Sequence, residues 1–274
     1  MQYPHSLFQV QGQTAVMTGG SGVLGKAMAT ALAQAGVRVA ILSLHQASAE
    51  AAAAAIRAEG GQALGLACDT TDPTALERAR QEVNKAFGTV DILINAAGGN
   101  RPQATTSAER SFFDLDSQVI NEVFTLNFTG TMLSCQVFGR KMAERGQGCI
   151  VNIASMSGIR ALTRVPVYSA AKAAINNFTQ WLAVHMAQEY SPRIRVNAIA
   201  PGFFLTEQNR QLMLHDDGSL TPRAQTIIAH TPQARLGTPD DLVGTLLWLI
   251  SPASAFVTGI VVPVDGGFSA FGGV

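Results

Sequence analysis

Thr14-Ala15-Val16-Met17-Thr18-Gly19-Gly20-Ser21-Gly22-Val23-Leu24-Gly25 is the stretch whose reading decides the fold. TAVMT is a short apolar, β-branched run with the look of a buried strand, and a helical pattern starts at Val23 and continues to about Ala35. Between them sits Gly20-Ser21-Gly22-Val23-Leu24-Gly25, a GxGxxG. In a chain with 26 glycines the bare pattern is weak, and its place between strand and helix is what gives it weight. Gly20 and Gly22 allow a tight turn and a close approach of backbone to a pyrophosphate. Gly25 lets helix and strand pack closely, and the first helical N–H groups face the anion. The competing reading is an ordinary glycine-rich loop.

Working outward, the alternation repeats. Val37–Leu42 reads as a strand, followed by an alanine-rich helix through Arg57, a strand at Ala63–Ala67 and a helix opened by Asp72-Pro73. Val90–Asn95, Cys149–Ala154, Arg195–Ile199 and Gly259–Val264 are continuous apolar runs, as in strands covered on both faces. This order implies right-handed βαβ crossovers and an α/β fold: a Rossmann-like doubly wound parallel sheet with helices on both faces. No linker, charge block or repeat divides residues 1–274, so a single domain is expected.

Composition narrows the function. The chain is 47% apolar and 14% charged, enough for a large core, and 19 basic residues balance 19 acidic ones. That balance argues against a nucleic-acid partner. No apolar run reaches the length of a membrane span and the first residues lack a signal pattern, so a soluble, cytoplasmic protein without membrane partners is expected. Cys68, Cys135 and Cys149 are too few and too scattered for a disulfide framework or a zinc site. His185 and His230 have no metal-binding spacing, so no metal is expected.

Tyr168 and Lys172 form YxxxK in the helical stretch Val165–Met186, which puts both side chains on one helix face. A phenol with a reference pKa of about 10 needs roughly 4 kcal/mol of help to work as an acid or base near neutrality. A neighbouring ammonium and a cationic nicotinamide have the sign that favours phenolate. Ser155 follows the strand Cys149–Ala154, at the edge where such sheets bind ligands, and its hydroxyl could hold a substrate oxygen. Alone it reads as a turn or cap residue.

Taken together these residues resemble the short-chain dehydrogenases/reductases. The resemblance runs from about Phe8 onward and rests on several motifs: the glycine loop, Asp69 in CDTTD, Asn95-Ala96-Ala97-Gly98, Asn127 in LNFTG, Ser155, Tyr168 with Lys172, and Pro201-Gly202 with Thr206. It implies hydride transfer at a nicotinamide, with Tyr168 as general acid/base and Ser155 orienting the carbonyl or hydroxyl. Lys172 would bind the nicotinamide ribose, and Asn127 would hold a proton-relaying water. Around the cofactor it implies Gly19, Gly20, Ser21, Gly22, Val23, Leu24 and Gly25 at the phosphates, and Asp69 and Thr70 at the adenine. Asn95, Ala96, Ala97 and Gly98 would line the cofactor, with Tyr168, Lys172, Pro201, Gly202, Phe204 and Thr206 at the nicotinamide end. Three departures stand out. Val23 replaces the family's second loop glycine, Ala96 replaces an asparagine, and Ser43 stands where NAD-dependent members carry an acid. Ser43 can bond a ribose 2′-hydroxyl and nothing nearby neutralises a 2′-phosphate, so NAD(H) is preferred, with NADP(H) the alternative.

Several stretches, among them NAAGGNRPQATT, LTRVPVYSAAKAAINNFTQWLAVH and PGFFLTEQNR, are similar to one branch of that family, the D-mannonate oxidoreductases (fructuronate reductases). The implied substrate is a small-molecule sugar acid, D-fructuronate or D-mannonate. Its carboxylate calls for a cation and polar donors. Asn100, Arg101, Arg160, Arg164, Asn209 and Arg210 lie in loops expected at the ligand edge, and Arg101, Arg164 or Arg210 is expected to bind the carboxylate. Each could instead be a solvated loop charge. Residues 203–236, with two short helices around Asp216-Asp217-Gly218, form a candidate lid. The alternatives are another short-chain reductase (gluconate 5-dehydrogenase-like, a polyol dehydrogenase or a 3-oxoacyl carrier-protein reductase) and a catalytically silent dinucleotide sensor. The resemblance also implies a homotetramer, with helical interface regions at Phe112–Glu144 and Val165–Tyr190 and a second interface at the apolar end Phe268–Val274. Trp181 and Trp248 read as core or interface anchors.

Overall fold

All five residues of TAVMT are buried, which a strand achieves only when both faces of its sheet are covered. In the computed structural model, which describes residues 5–206 and 209–273, this strand lies inside the sheet, third of seven strands. The strands are β1 (Thr14–Thr18), β2 (Arg38–Ser43), β3 (Ala63–Ala67), β4 (Ile92–Asn95), β5 (Gly148–Ile153), β6 (Ile194–Pro201) and β7 (Val261–Val264). They pair in parallel throughout, in the order β3-β2-β1-β4-β5-β6-β7. The helices are α1 (Val23–Gln34), α2 (Gln46–Ala58), α3 (Pro73–Phe87), α4 (Ser117–Phe124), α5 (Gly130–Arg145), α6 (Pro166–Glu189), α7 (Arg210–Met213), α8 (Pro222–Ala229) and α9 (Val243–Ile250).

The two-residue period of the strands divides the core. Ala15 and Met17 of β1, Ile92 and Ile94 of β4, and Cys149 and Val151 of β5 pack with α1, α2 and α9. Val16, Leu93 and Ile150 point the other way, onto α3, α5 and α6. The result is the single α/β domain expected, doubly wound. Strand order reverses between β1 and β4, so their carboxyl ends part and open a cleft, the usual ligand position in such sheets.

Asp72 accepts the Thr74 N–H at 2.8 Å with Pro73 in the first helical turn, so α3 starts as its sequence reads. The region Phe112–Glu144 is not one helix. A 3₁₀ turn at Phe112–Asp114 comes first, and α4 starts where Asp116 accepts the Gln118 N–H at 2.8 Å. A π-helical turn at Thr125–Thr129 then separates α4 from α5. Strand β6 runs on through Pro201, and β7 starts two residues later than the expected Gly259. Met1–Pro4, Glu207-Gln208 of the 203–236 segment, and Val274 of the apolar end lie outside the described residues. Among the described residues, no helix is long and apolar enough to cross a membrane and no cluster of three or more residues could hold a metal ion.

Candidate active site

The left-handed residue of the glycine loop is Gly19, at φ 66°, and its carbonyl accepts the Gly22 N–H at 3.1 Å, so the tight turn spans Gly19–Gly22 with Gly20 inside it; Gly22 itself is extended at φ −73°. A Cβ on Gly19 would stand 2.7 Å from the Ala96 carbonyl oxygen, and one on Gly25 would stand 2.8 Å from Gly20 Cα. Gly25 therefore packs helix on loop, as expected. Gly22 caps α1 with no side-chain hydrogen bond, leaving the first N–H groups of the helix, at Val23 and Leu24, for an anion. Ser21 and Ser43 touch across the top of the loop, Oγ to Oγ at 2.7 Å.

Beside them runs a groove of about 790 Å³ lined by Gly19, Ser43, Asp69, Thr70, Ala97 and Gly98, with Leu44, Gln118 and Asn121 on its walls. That volume is within the ordinary range for ligand sites. Sequence reasoning missed the α4 wall and also Thr18. The Thr18 hydroxyl accepts the Ala96 and Ala97 N–H groups, each at 3.1 Å, and so holds one loop of the groove to the end of β1. A polar last residue on an apolar strand was the available signal. Asp69 Oδ1 takes the Thr71 N–H and hydroxyl, which shapes its own turn.

Two expected cofactor residues are largely buried. Asn95 is 2% exposed and its amide donates to Asn152 Oδ1 at 2.9 Å, which ties β4 to β5 beneath the groove. Phe204 is 5% exposed and packs into the core, against Gly237. Pro201 and Gly202 end β6, with Gly202 so close to Asp265 that a Cβ would stand 2.6 Å from Asp265 Cβ.

Tyr168 and Lys172 share a face of α6, with Lys172 Nζ 5.5 Å from the centre of the phenol ring. Lys172 Nζ donates to the Ile153 carbonyl at 2.8 Å, and its burial pulls its pKa down to about 8. Burial pushes Tyr168 up, while a hydrogen bond from Ser155 acts the other way by favouring phenolate. Burial is the larger of the two effects, so the phenol is held above its ordinary value. A bound oxidised nicotinamide has the sign that would bring it down. Asn127 sits in the π-helical turn, fully buried. Its Nδ2 donates to the Gly99 and Val123 carbonyls at 2.7 and 2.8 Å, and its Oδ1 accepts the Gly99 N–H at 3.1 Å. Those bonds clamp the loop after β4 to the π-helical turn.

The loop cations separate clearly. Arg101 pairs with Glu122 at 3.3 Å on the groove wall. Arg160 Nε donates to the Ser269 carbonyl at 2.8 Å. Asn209 accepts the Thr206 N–H and donates to the Phe204 carbonyl, so it closes its own turn, and Asn100 donates to Thr105 Oγ1. Arg164 and Arg210 are exposed and, among the described residues, stand within ion-pair distance of no carboxylate, though the Arg164 charge acts on Glu109. Arg164 is held at φ 73°, a strained conformation for a side chain of its size. The Thr106 N–H fixes its carbonyl at 2.9 Å.

A dinucleotide cradle with a buried Ser–Tyr–Lys cluster at the carboxyl edge of a parallel sheet is joined by a family match. The model described as enoyl-(acyl carrier protein) reductase, of the short-chain dehydrogenase family, matches residues 21–269. The chain is a short-chain dehydrogenase/reductase. It is 52% identical over 272 residues to the uncharacterized oxidoreductase UxuB of Bacillus subtilis, spanning 96% of this chain and 97% of that one. It is 32% identical to the 5-keto-D-gluconate 5-reductase of Escherichia coli K12, over 96% and 98% of the two chains. A solved structure from Haemophilus influenza, provisionally named a D-mannonate oxidoreductase and holding NAD, aligns with TM-score 0.91 at 42% identity, covering 97% and 98%. The chain is accordingly an oxidoreductase of the dehydrogenase/reductase kind that uses a nicotinamide cofactor.

Proposed function

We propose that this short-chain reductase interconverts D-fructuronate and D-mannonate with NAD(H). The observation that carries the substrate is the likeness, over nearly the whole chain, to the NAD-holding structure named as a D-mannonate oxidoreductase. Arg164 and Arg210 support it, as exposed cations outside any close ion pair among the described residues, Arg164 in the loop after β5 and Arg210 at the start of α7. Arg164 is the better placed for the substrate carboxylate, because its loop joins Ser155 to Tyr168. Ser155, Tyr168 and Lys172 act on the substrate, and the Ser21–Ser43 pair meets the adenosine ribose. Arg101 is the lone cation lining the groove among the described residues, and Glu122 already neutralises it, which leaves a 2′-phosphate without a counterion. When bound, the nicotinamide supplies the hydride acceptor; the chain orients the substrate and moves the proton at Tyr168 Oη.

In this reading the 203–236 segment is a lid. Its helices α7 and α8 pack on each other through Met213, Ala224 and Ile227, a small cluster of its own. A homotetramer is supported by exposed apolar residues on α6, and a cytoplasmic setting by the free thiols of Cys68, Cys135 and Cys149. The likeness to the 5-keto-D-gluconate 5-reductase favours a second reading, a related sugar acid. The test is reduction of NAD⁺ and of NADP⁺ with D-mannonate, beside D-gluconate and a polyol, with Tyr168→Phe as the blank. Turnover on mannonate with NAD⁺, lowered at least about 100-fold in the blank, is expected. Turnover on gluconate alone overturns the substrate.

A further inference from the structure

Ser155 receives more hydrogen bonds than a lone active-site hydroxyl needs. Its Oγ accepts the Ser157 backbone N–H at 3.2 Å and the Ser157 hydroxyl at 3.0 Å. The two residues are 9% and 4% exposed, so water does not compete for these bonds. A serine hydroxyl has two acceptor lone pairs and one donor proton. With both lone pairs taken, the remaining proton points out of the turn, where Tyr168 is its partner.

We propose that Ser157 is a positioning residue that locks Ser155 as a hydrogen-bond donor to the reacting oxygens. A freely rotating Ser155 hydroxyl could accept from the Tyr168 phenol and so favour the neutral acid. Occupied by Ser157, it can only donate, which favours phenolate in the waiting enzyme and stabilises oxygen charge on a substrate carbonyl as hydride arrives. The frame is rigid. Gly158 lies so close to α6 that a Cβ there would stand 2.6 Å from the Lys172 carbonyl carbon, and Asn176 Nδ2 donates to the Gly158 carbonyl at 3.1 Å. The turn that carries Ser157 is thereby fixed to the helix that carries Tyr168. No motif marked Ser157 in the sequence; the signal is geometric.

The inference rests on Ser155 and Tyr168 being the reacting pair, not on the identity of the sugar acid. Its test uses the full-length NAD⁺ complex and the variants Ser157→Ala, Ser157→Thr, Ser155→Ala and the Ser155→Ala/Ser157→Ala double. The substrate is D-mannonate or whichever control alcohol the wild type oxidises. Ser157→Ala is expected to lower kcat about 10-fold, the loss of one ordering hydrogen bond, with KM for NAD⁺ and melting temperature unchanged. Ser157→Thr, which keeps the hydroxyl, should restore most of the rate, and the double variant should match Ser155→Ala alone. A second readout needs no substrate. Phenolate titration of Tyr168, taken as the difference from the matching Tyr168→Phe protein, should move to higher pH in Ser157→Ala and not in Ser157→Thr. Wild-type rate and titration in Ser157→Ala, or an equal further loss on the Ser155→Ala background, overturns the proposal. A titration shift in a protein inactive on mannonate sinks only the substrate reading.

Discussion

A charged lysine in the protein interior costs stability unless its surroundings repay it, and Lys172 shows the sign of that cost. It is 4% exposed, donates to one carbonyl, and has its pKa drawn down by burial from 10.5 to about 8. Between those two values the unfolded chain binds a proton the folded chain has released, so stability rises with pH across that window. Wild type should therefore gain about 2 kcal/mol over Lys172→Met between about pH 7 and about pH 10, read as the difference between their urea unfolding curves. Parallel pH dependences in the two proteins would mean that Lys172 keeps its ordinary pKa in the folded chain. Thr18 supports a second expectation at this scale. Thr18→Val keeps the shape of the side chain but leaves the Ala97 N–H without its acceptor, while the Ala96 N–H keeps the Thr18 carbonyl at 3.2 Å. It should cost about 2 kcal/mol and weaken NADH binding, measured by melting with and without cofactor.

At the scale of elements, the first strand, loop and helix act as one unit because of where a methyl group cannot go. Gly25→Ala would drive a Cβ into Gly20, so α1 must move off the loop that faces the phosphates. A loss of at least about 10-fold in NADH affinity is expected by fluorescence titration, with a smaller effect from Gly22→Ala, whose Cβ would meet only the Gly19 carbonyl oxygen at 3.4 Å. Equal losses would mean that helix position does not matter to binding. This unit was legible in the sequence because strand, loop and helix are contiguous, and so was the YxxxK pair, whose spacing is that of one helix turn. The left-handed backbone of Gly19 was not legible, because a motif fixes which residues are glycine and not the angles of each. Nor was the burial of Asn95 and Phe204, since their direction depends on strand register and on the Gly237 contact. The α4 wall escaped because the π-helical turn at Thr125–Thr129, held by the Asn127 clamp on Gly99, sets its angle, and that clamp spans 28 residues of chain.

At the scale of the molecule, α6 has two jobs on opposite faces. One face buries Ile175, Phe178 and Leu182 and carries Tyr168 and Lys172 into the site. The other exposes Trp181 and Val184 at 57% and 56%, with Tyr190 just past the helix at 55%. Trp181 stacks on His185 with ring centres 4.8 Å apart, beside a groove of about 720 Å³ shared with Gly139 and Ala143 of α5. A large aromatic side chain exposed beside small residues is costly for a lone chain and well suited to a second copy, where aromatic anchors supply most of the binding energy. In the proposed tetramer, Trp181→Arg should therefore shift the protein to smaller species by light scattering, with subunit affinity falling at least about 30-fold. Because the same helix positions Tyr168, kcat should fall with the assembly state and recover at high protein concentration. A variant that stays tetrameric would take α6 out of the interface. One that dissociates at full activity would show that the site is complete within a single chain.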